Sequence, residues 1–228
     1  MKHLFHVHTY RCGHAENISE ELYVEKAITL KASDIWFTDH APFPNNPFGG
    51  RMKYEQLNEY IDTLLQLKEK YKEEINVHIG LEIEYFPKYM DYYKELTENN
   101  NIEILLLGQH MYQIENGYSF SLPKDTLDKE EYIGLGNAII EGMNTGLFKV
   151  CAHPDRIYRR QNQYWTKEMN EIAKQIIETA HQTNTILEQN ISSMRDGLYR
   201  NEFWNLKNSL NEDKTIIGLD AHYLKELK

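Results

Sequence analysis

Along the chain, apolar runs of strand length alternate with stretches of helical period. The runs Leu4 to His8, Asp34 to Thr38, Val77 to Glu82, Ile102 to Leu107, Lys149 to Ala152, Ile186 to Gln189 and Thr215 to Leu219 predict seven buried strands. Between them Leu57, Tyr60, Ile61, Leu64, Leu65 and Tyr71 recur near 3.6-residue spacing, as do Met169, Ile172, Ala173, Ile176, Ile177 and Ala180. Each set predicts an amphipathic helix. Further helices are expected after Asn17 to Ser19, after Pro87, after Asp128, and over Glu202 to Leu210, with Asn, Ser and Asp as N-caps. Strands that alternate with helices pair in parallel through right-handed crossovers, so an α/β fold with a closed or nearly closed barrel of seven strands is expected. The alternative, an open doubly wound sheet, is weakened because no GxGxxG or GxxxxGK[ST] turn follows the first strand. Gly49-Gly50 and Gly134-Leu135-Gly136 read instead as loop or helix-packing glycines.

At 228 residues, 41% hydrophobic, the chain suits one domain spanning 1–228. Its formal charge of -10 makes it a poor partner for nucleic acid or an anionic membrane surface. No apolar stretch reaches the length of a membrane span, and Met1 to His6 lacks the apolar core of a signal peptide, so a soluble, cytoplasmic protein is expected. Cys12 and Cys151 stand alone and are expected to be reduced and incidental.

The histidines carry the chemistry. Of ten, seven fall at or just beyond the C-terminal ends of predicted strands: His6 and His8, then His14, His40, His110, His153 and His222. His6 and His8 are two apart, which on a regular pleat gives them one face. In a parallel barrel these ends share one rim, where active sites of such barrels are built. Glu82 and Glu84 end strand three, and Asp220 ends strand seven. Imidazole mixed with carboxylate suits zinc, iron or manganese, and so many ligands exceed one ion's needs. Two or three divalent transition-metal ions with a bridging carboxylate fit the count. Asp39 is expected to orient an imidazole rather than to ligate. His3 and His78, at the opposite strand ends, and His181, on a helix, are expected to be structural or solvated.

The stretches His6-Val7-His8, Thr38-Asp39-His40, Gly80-Leu81-Glu82-Ile83-Glu84, Gly108-Gln109-His110, His153-Pro154-Asp155-Arg156 and Asp220-Ala221-His222 resemble the motifs of the PHP (polymerase and histidinol phosphatase) family. The resemblance spans nearly the whole chain. It implies a distorted (β/α)7 TIM-like barrel with a trinuclear centre: one ion on His6, His8, Glu82 and Asp220, a second on Glu82, His110 and His153, and a third with His14, His40 and His222. Gly80 to Tyr85, Gly108 to His110 and Asn190 to Arg195 are most similar to the histidinol-phosphatase branch.

The chemistry so implied is hydrolysis of a small phosphomonoester, L-histidinol phosphate being the first choice, by a water held as hydroxide between cations. Arg156 and Arg195 are the candidate phosphate donors, while Arg159-Arg160 reads as a solvated pair. A proton for the leaving alkoxide is expected from metal-held water, Asp220 or a rim histidine, for which His222 is the candidate. The loop Phe43 to Phe48 is expected to enclose the substrate imidazole, with Glu16 or Asp39 neutralising its amine. A metal-dependent amidohydrolase acting on C–N bonds is the main alternative, although the lysine it would need at strand four is absent.

Overall fold

The structure is a computed structural model that describes residues 2–120, 129–159, 165–210 and 214–228. Asp128 and Arg160 lie outside the described residues. In chain order the elements are β1 (Lys2–Val7), α1 (Glu20–Thr29), β2 (Ala32–His40), α2 (Leu57–Lys70), β3 (Asn76–Ile83), α3 (Met90–Glu98), β4 (Ile104–Leu107), β5 (Met111–Ile114), β6 (Gly117–Phe120), α4 (Lys129–Asn144), β7 (Val150–Cys151), α5 (Lys167–Thr183), β8 (Ile186–Asn190), α6 (Ile191–Arg195), α7 (Asn201–Ser209) and β9 (Thr215–Gly218). Seven strands form one sheet in the order β1-β2-β3-β4-β7-β8-β9. Pairing is parallel for β1–β2, β2–β3 and β7–β8. The segment after β9 returns to the free side of β1: Leu219 N donates to Phe5 O at 2.8 Å, and His8 N to Ala221 O at 2.9 Å. These bonds close the sheet as the distorted (β/α)7 barrel that the alternation predicts.

The described residues divide into two compact units. The first comprises Met1–Ile83, Glu95–Leu106 and Gly218–Lys228. Its strands are buried on both faces, which is why they read as near-continuous apolar runs. Val7, Ile35, Phe37, Val77, Ile79 and Leu81 are fully buried. Against them α1 packs Tyr23, Val24 and Ala27, and α2 packs Tyr60, Ile61 and Leu64. The β2–β3 register runs unbroken from Asp34↔Asn76 to His40↔Glu82, so the two strands deliver His40 and Glu82 side by side. Gly80 is needed for close approach: a Cβ there would meet Ile104 Cγ2 at 2.5 Å and Ile104 O at 3.0 Å.

The second unit comprises Glu84–Lys94 and Leu107–Ile217. Here α4 packs on α5, and a Cβ on Gly136 would meet Ile172 Cγ2 at 2.5 Å, in line with a helix-packing glycine. The Thr166 side chain caps α5 by accepting from Met169 N, and Asn184 ends the helix at φ 59°. The strand pattern does not predict the antiparallel hairpin β5–β6, paired from Met111↔Phe120 to Ile114↔Gly117. No helix among the described residues is long and apolar enough to cross a membrane.

Candidate metal centre

In the first unit, four short segments bring imidazoles and carboxylates together. His6 lies near the end of β1 and His8 immediately follows it, both fully buried, with ring centroids 5.0 Å apart. They do not converge by regular pleating: His6 has φ 69°, and the β1–β2 register shifts between Leu4 and Val7. This left-handed residue replaces the alternation expected of the strand and still turns both rings toward Glu82 and Asp220. His6 Nε2 lies 3.5 Å from Glu82 Oε2 and 3.9 Å from Asp220 Oδ1. His8 Nε2 lies 3.6 Å and 3.2 Å from the same two atoms. His40 Nδ1 stands 3.0 Å from Glu82 Oε2, so this one carboxylate oxygen faces three imidazoles. Asp220 also adopts a left-handed backbone, at φ 51°. Non-glycine residues held there carry a conformational cost, and they concentrate at functional sites.

His14 and His222 complete this cluster. The Nδ1 of His14 lies 3.1 Å from Cys12 O, and that of His222 lies 3.1 Å from Asp220 O. Carbonyl oxygens only accept, so both Nδ1 atoms are donors. Burial lowers the pKa of His14, with the charge of His8 adding to the effect. Burial likewise lowers His222 to about 3, helped by the His8 ring stacked on it at 4.1 Å. Both rings are therefore neutral near pH 7, and each carries its lone pair on Nε2. The two Nε2 atoms are 3.0 Å apart. Lone pairs this close repel unless a cation lies between them, and neutral imidazole is a common metal ligand.

Electrostatics prepare the other donors. Burial works against ionisation of Asp220, but His8, His6 and His222 hold its carboxyl well below the usual range. Burial also opposes a charge on His8, and the Asp220 and Asp39 carboxylates outweigh it, raising the ring to about 9. Asp39 is fully buried and takes the orienting place expected of it, with Oδ1 3.3 Å from His8 Nδ1. It also accepts from His40 N at 2.8 Å and from the Thr9 hydroxyl. Cys12 is buried with its thiol pushed up to about 12 by desolvation, although Sγ lies within 4.8 Å of ligand nitrogens of His8 and His222.

The second unit places the remaining two predicted imidazoles together. His110 and His153 are buried with ring centroids 5.0 Å apart. His110 Nδ1 lies 3.0 Å from Glu84 Oε1, so Glu84 orients this ring. Gln109 fixes the preceding turn by accepting from Tyr85 N and donating to Tyr85 O and Met111 O. His153 is a third left-handed residue, at φ 32°, and its N–H donates to the fully buried Glu188 at 3.1 Å. Glu188 escapes the sequence reading; a glutamate in the apolar run Ile186 to Asn190 is the signal that marks it.

One expectation requires correction. Arg159 is not solvated: it is 5% exposed. Arg195 lies on α6, half exposed, pairing with Asp196 at 2.8 Å and with Ser192 Oγ at 3.0 Å. Glu16 is turned to the backbone, accepting from Leu224 N at 2.8 Å, and Asp39 is buried among its donors. The loop Phe43 to Phe48 receives a cation that sequence reasoning missed. The Arg51 guanidinium lies 5.5 Å from the Phe43 ring and 5.6 Å from that of Phe48. Arg51, Phe48, Lys53 and Asn46 share with His14 a cleft of about 610 Å3. His3 and His78 are structural as expected: both contact Asp34, and His78 also contacts Glu103 and stacks on Trp36 at 3.9 Å. His181 is exposed.

Comparison with known proteins shows which family and fold the chain resembles. A "Probable histidinol-phosphatase" from Deinococcus radiodurans is 29% identical over 160 residues, covering 66% of this chain and 59% of its own length. A histidinol-phosphatase from Bacillus subtilis is 32% identical over 92 residues, covering 38% of this chain and 34% of its own. The matched stretches thus span less than two thirds of these relatives. A crystal structure of histidinol phosphate phosphatase from Lactococcus lactis, complexed with zinc, L-histidinol and phosphate, superposes with a TM-score of 0.77 at 21% identity. That likeness covers 98% of this chain and 87% of the other. It shows the shared fold. The PHP domain family model matches residues 4–192, a span that carries the strand-end motifs from His6 to His153, and the chain therefore belongs to the PHP domain family.

Proposed function

We propose that the chain is a metal-dependent phosphomonoesterase whose substrate is L-histidinol phosphate. The observation that carries the metal is the pair of neutral imidazoles, His14 and His222, with Nε2 lone pairs facing at 3.0 Å. In this reading His6, His8, Glu82 and Asp220 hold one divalent ion, His14, His40 and His222 hold another, and His110 and His153 serve a third. Zinc, iron and manganese all suit this donor set. Bound ions of this kind supply Lewis acidity toward phosphoryl oxygens and bring the pKa of water toward neutrality.

The chain's own groups do the rest. Glu82 presents one oxygen to His6, His8 and His40 and would serve the ions that these imidazoles hold. Asp39 and Glu84 fix His8 and His110 so that each keeps Nε2 for coordination. Arg156 and Arg195 are the candidate guanidinium donors for a phosphate dianion, and Arg51, which shares a cleft with His14, is a further candidate. Asp220, held ionised by its imidazole neighbours, would take the proton of the attacking water and return it to the leaving alkoxide, while His222, neutral with its lone pair on Nε2, serves as a ligand. The relatives' names and the zinc, L-histidinol and phosphate of the Lactococcus lactis structure support the substrate.

The deciding experiment compares kcat/KM for L-histidinol phosphate with that for p-nitrophenyl phosphate, phosphoserine and sugar phosphates, using protein of measured metal content. A preference of at least tenfold for histidinol phosphate is expected. Equal values would remove the substrate assignment and leave the phosphatase; activity that survives full removal of metal would remove both.

A further inference from the structure

We propose that Thr9 is a positioning residue for the centre, its single hydroxyl setting the placement of three imidazoles at once. Thr9 is 1% exposed and immediately follows His8. Its Oγ1 donates to Asp39 Oδ2 and accepts from Arg11 N at 3.4 Å. Each of these two bonds leads to metal-site histidines by a separate route.

The first route runs through Asp39. With Oδ2 held by Thr9, the carboxylate turns Oδ1 to His8 Nδ1 at 3.3 Å and to His40 N at 2.8 Å. The plane of the carboxylate therefore fixes the tautomer of His8 and the backbone from which His40 projects. A buried carboxylate with one oxygen lacking a donor would rotate or recruit water, since an unsatisfied buried charge is costly. The second route runs through the turn. Thr9 is the N-cap of a 3-10 turn over Tyr10–Cys12, which ends at Gly13 with φ 81°. Thr9 O also receives Cys12 N at 3.3 Å and Cys12 Sγ at 3.2 Å. That turn presents Cys12 O, the acceptor that holds His14 Nδ1 and leaves its Nε2 facing His222. One hydroxyl thus joins the strand-borne pair His8 and His40 to the loop-borne His14.

Shape and hydrogen bonding can be separated at this position. Thr9→Val keeps the volume and β-branching but removes both bonds; Thr9→Ser keeps both bonds and removes only a methyl group. The chelator-stripped chain is titrated with Co(II), following its visible absorption for affinity, stoichiometry and coordination, with circular dichroism to verify folding. Thr9→Val is expected to weaken Co(II) binding by about tenfold to a hundredfold, the range found when a group that orients a metal ligand is lost. Its absorption bands should also change shape. Thr9→Ser is expected to stay within roughly threefold of the unaltered chain, a tolerance well inside that range. Thr9→Val binding with unchanged affinity and spectrum, or Thr9→Ser as impaired as Thr9→Val, would overturn the proposal.

If Thr9→Val does not fold, proton NMR of the unaltered chain decides. A downfield, slowly exchanging Thr9 hydroxyl resonance supports the bond to Asp39, and a rapidly exchanging one overturns it. The inference rests on the metal reading above, and the two fail differently. An unaltered chain that binds no Co(II) removes the metal reading and this one with it; an unaltered chain that binds, beside a Thr9→Val variant that binds equally well, removes only the role of Thr9.

Discussion

Nε2 of His14 points at Nε2 of His222 across 3.0 Å, although the two residues are separated by 208 positions in the chain. Each ring is pinned from behind by a backbone carbonyl, so neither can turn a donor toward the other. Replacing one of the pair relieves the repulsion and removes a ligand together. His222→Ala is therefore expected to lose about one ion per chain by elemental analysis and to lower phosphatase turnover by at least about tenfold, the smaller end of the range for weakened metal sites. His181→Ala, on the exposed face of α5, should leave both unchanged.

His8 gives the metal-binding reaction a pH dependence. Without metal its ring is raised to about 9, so at pH 7.5 it carries a proton that must leave before Nε2 can coordinate. Metal loading should release protons, and affinity should rise with pH up to about 9 and then level off. Calorimetry in two buffers of differing ionisation enthalpy measures the release directly. Identical heats in both buffers would contradict the assignment.

Asp39→Asn keeps the shape of the side chain but removes the charge that orients His8 and offers one acceptor where the carboxylate offers two. We expect metal affinity to fall by about tenfold to a hundredfold, near 1.4 to 2.7 kcal/mol. Competition with a chromophoric chelator provides the reading, and an unchanged dissociation constant would show that Asp39 is only a core polar group.

Gly80→Ala tests packing two residues before Glu82. The added methyl would meet Ile104 at 2.5 Å and Thr38 Cγ2 at 3.1 Å, with the backbone of Ile104 blocking retreat. Destabilisation of about 1–3 kcal/mol is expected from overpacking of this kind, read as a fall in the denaturation midpoint of the metal-free protein.

The barrel was legible because its strands are buried on both sides and its helices on one: the two environments write different periods into the chain. Candidate ligands were legible for a related reason, since parallel strands gather their C-terminal ends and thereby group His40, Glu82 and Asp220, which are far apart in sequence. Other features depend on backbone geometry that composition does not announce. The left-handed φ of His6 defeats a pleat argument, and the burial of Arg159 defeats a charge argument. The β5–β6 hairpin was marked by Asn116-Gly117, a strong turn signal, but its strands of four residues are too short for alternation to stand out. Arg51 gave no sign at all, because its partners, Phe43 and Phe48, define its role only once the loop folds back.

The left-handed backbone shared by His6, His153 and Asp220 limits what mutagenesis can report at these positions. Of the common residues, asparagine tolerates that conformation best after glycine, and β-branched ones tolerate it least. Asp220→Asn therefore changes the chemistry while sparing the backbone, whereas Asp220→Val would lower expression and activity together and confuse one with the other. The same asymmetry applies to random libraries: variants recovered at 6, 153 and 220 will be filtered by fold before they are filtered by function, so a scarcity of survivors there measures chain geometry as much as catalysis.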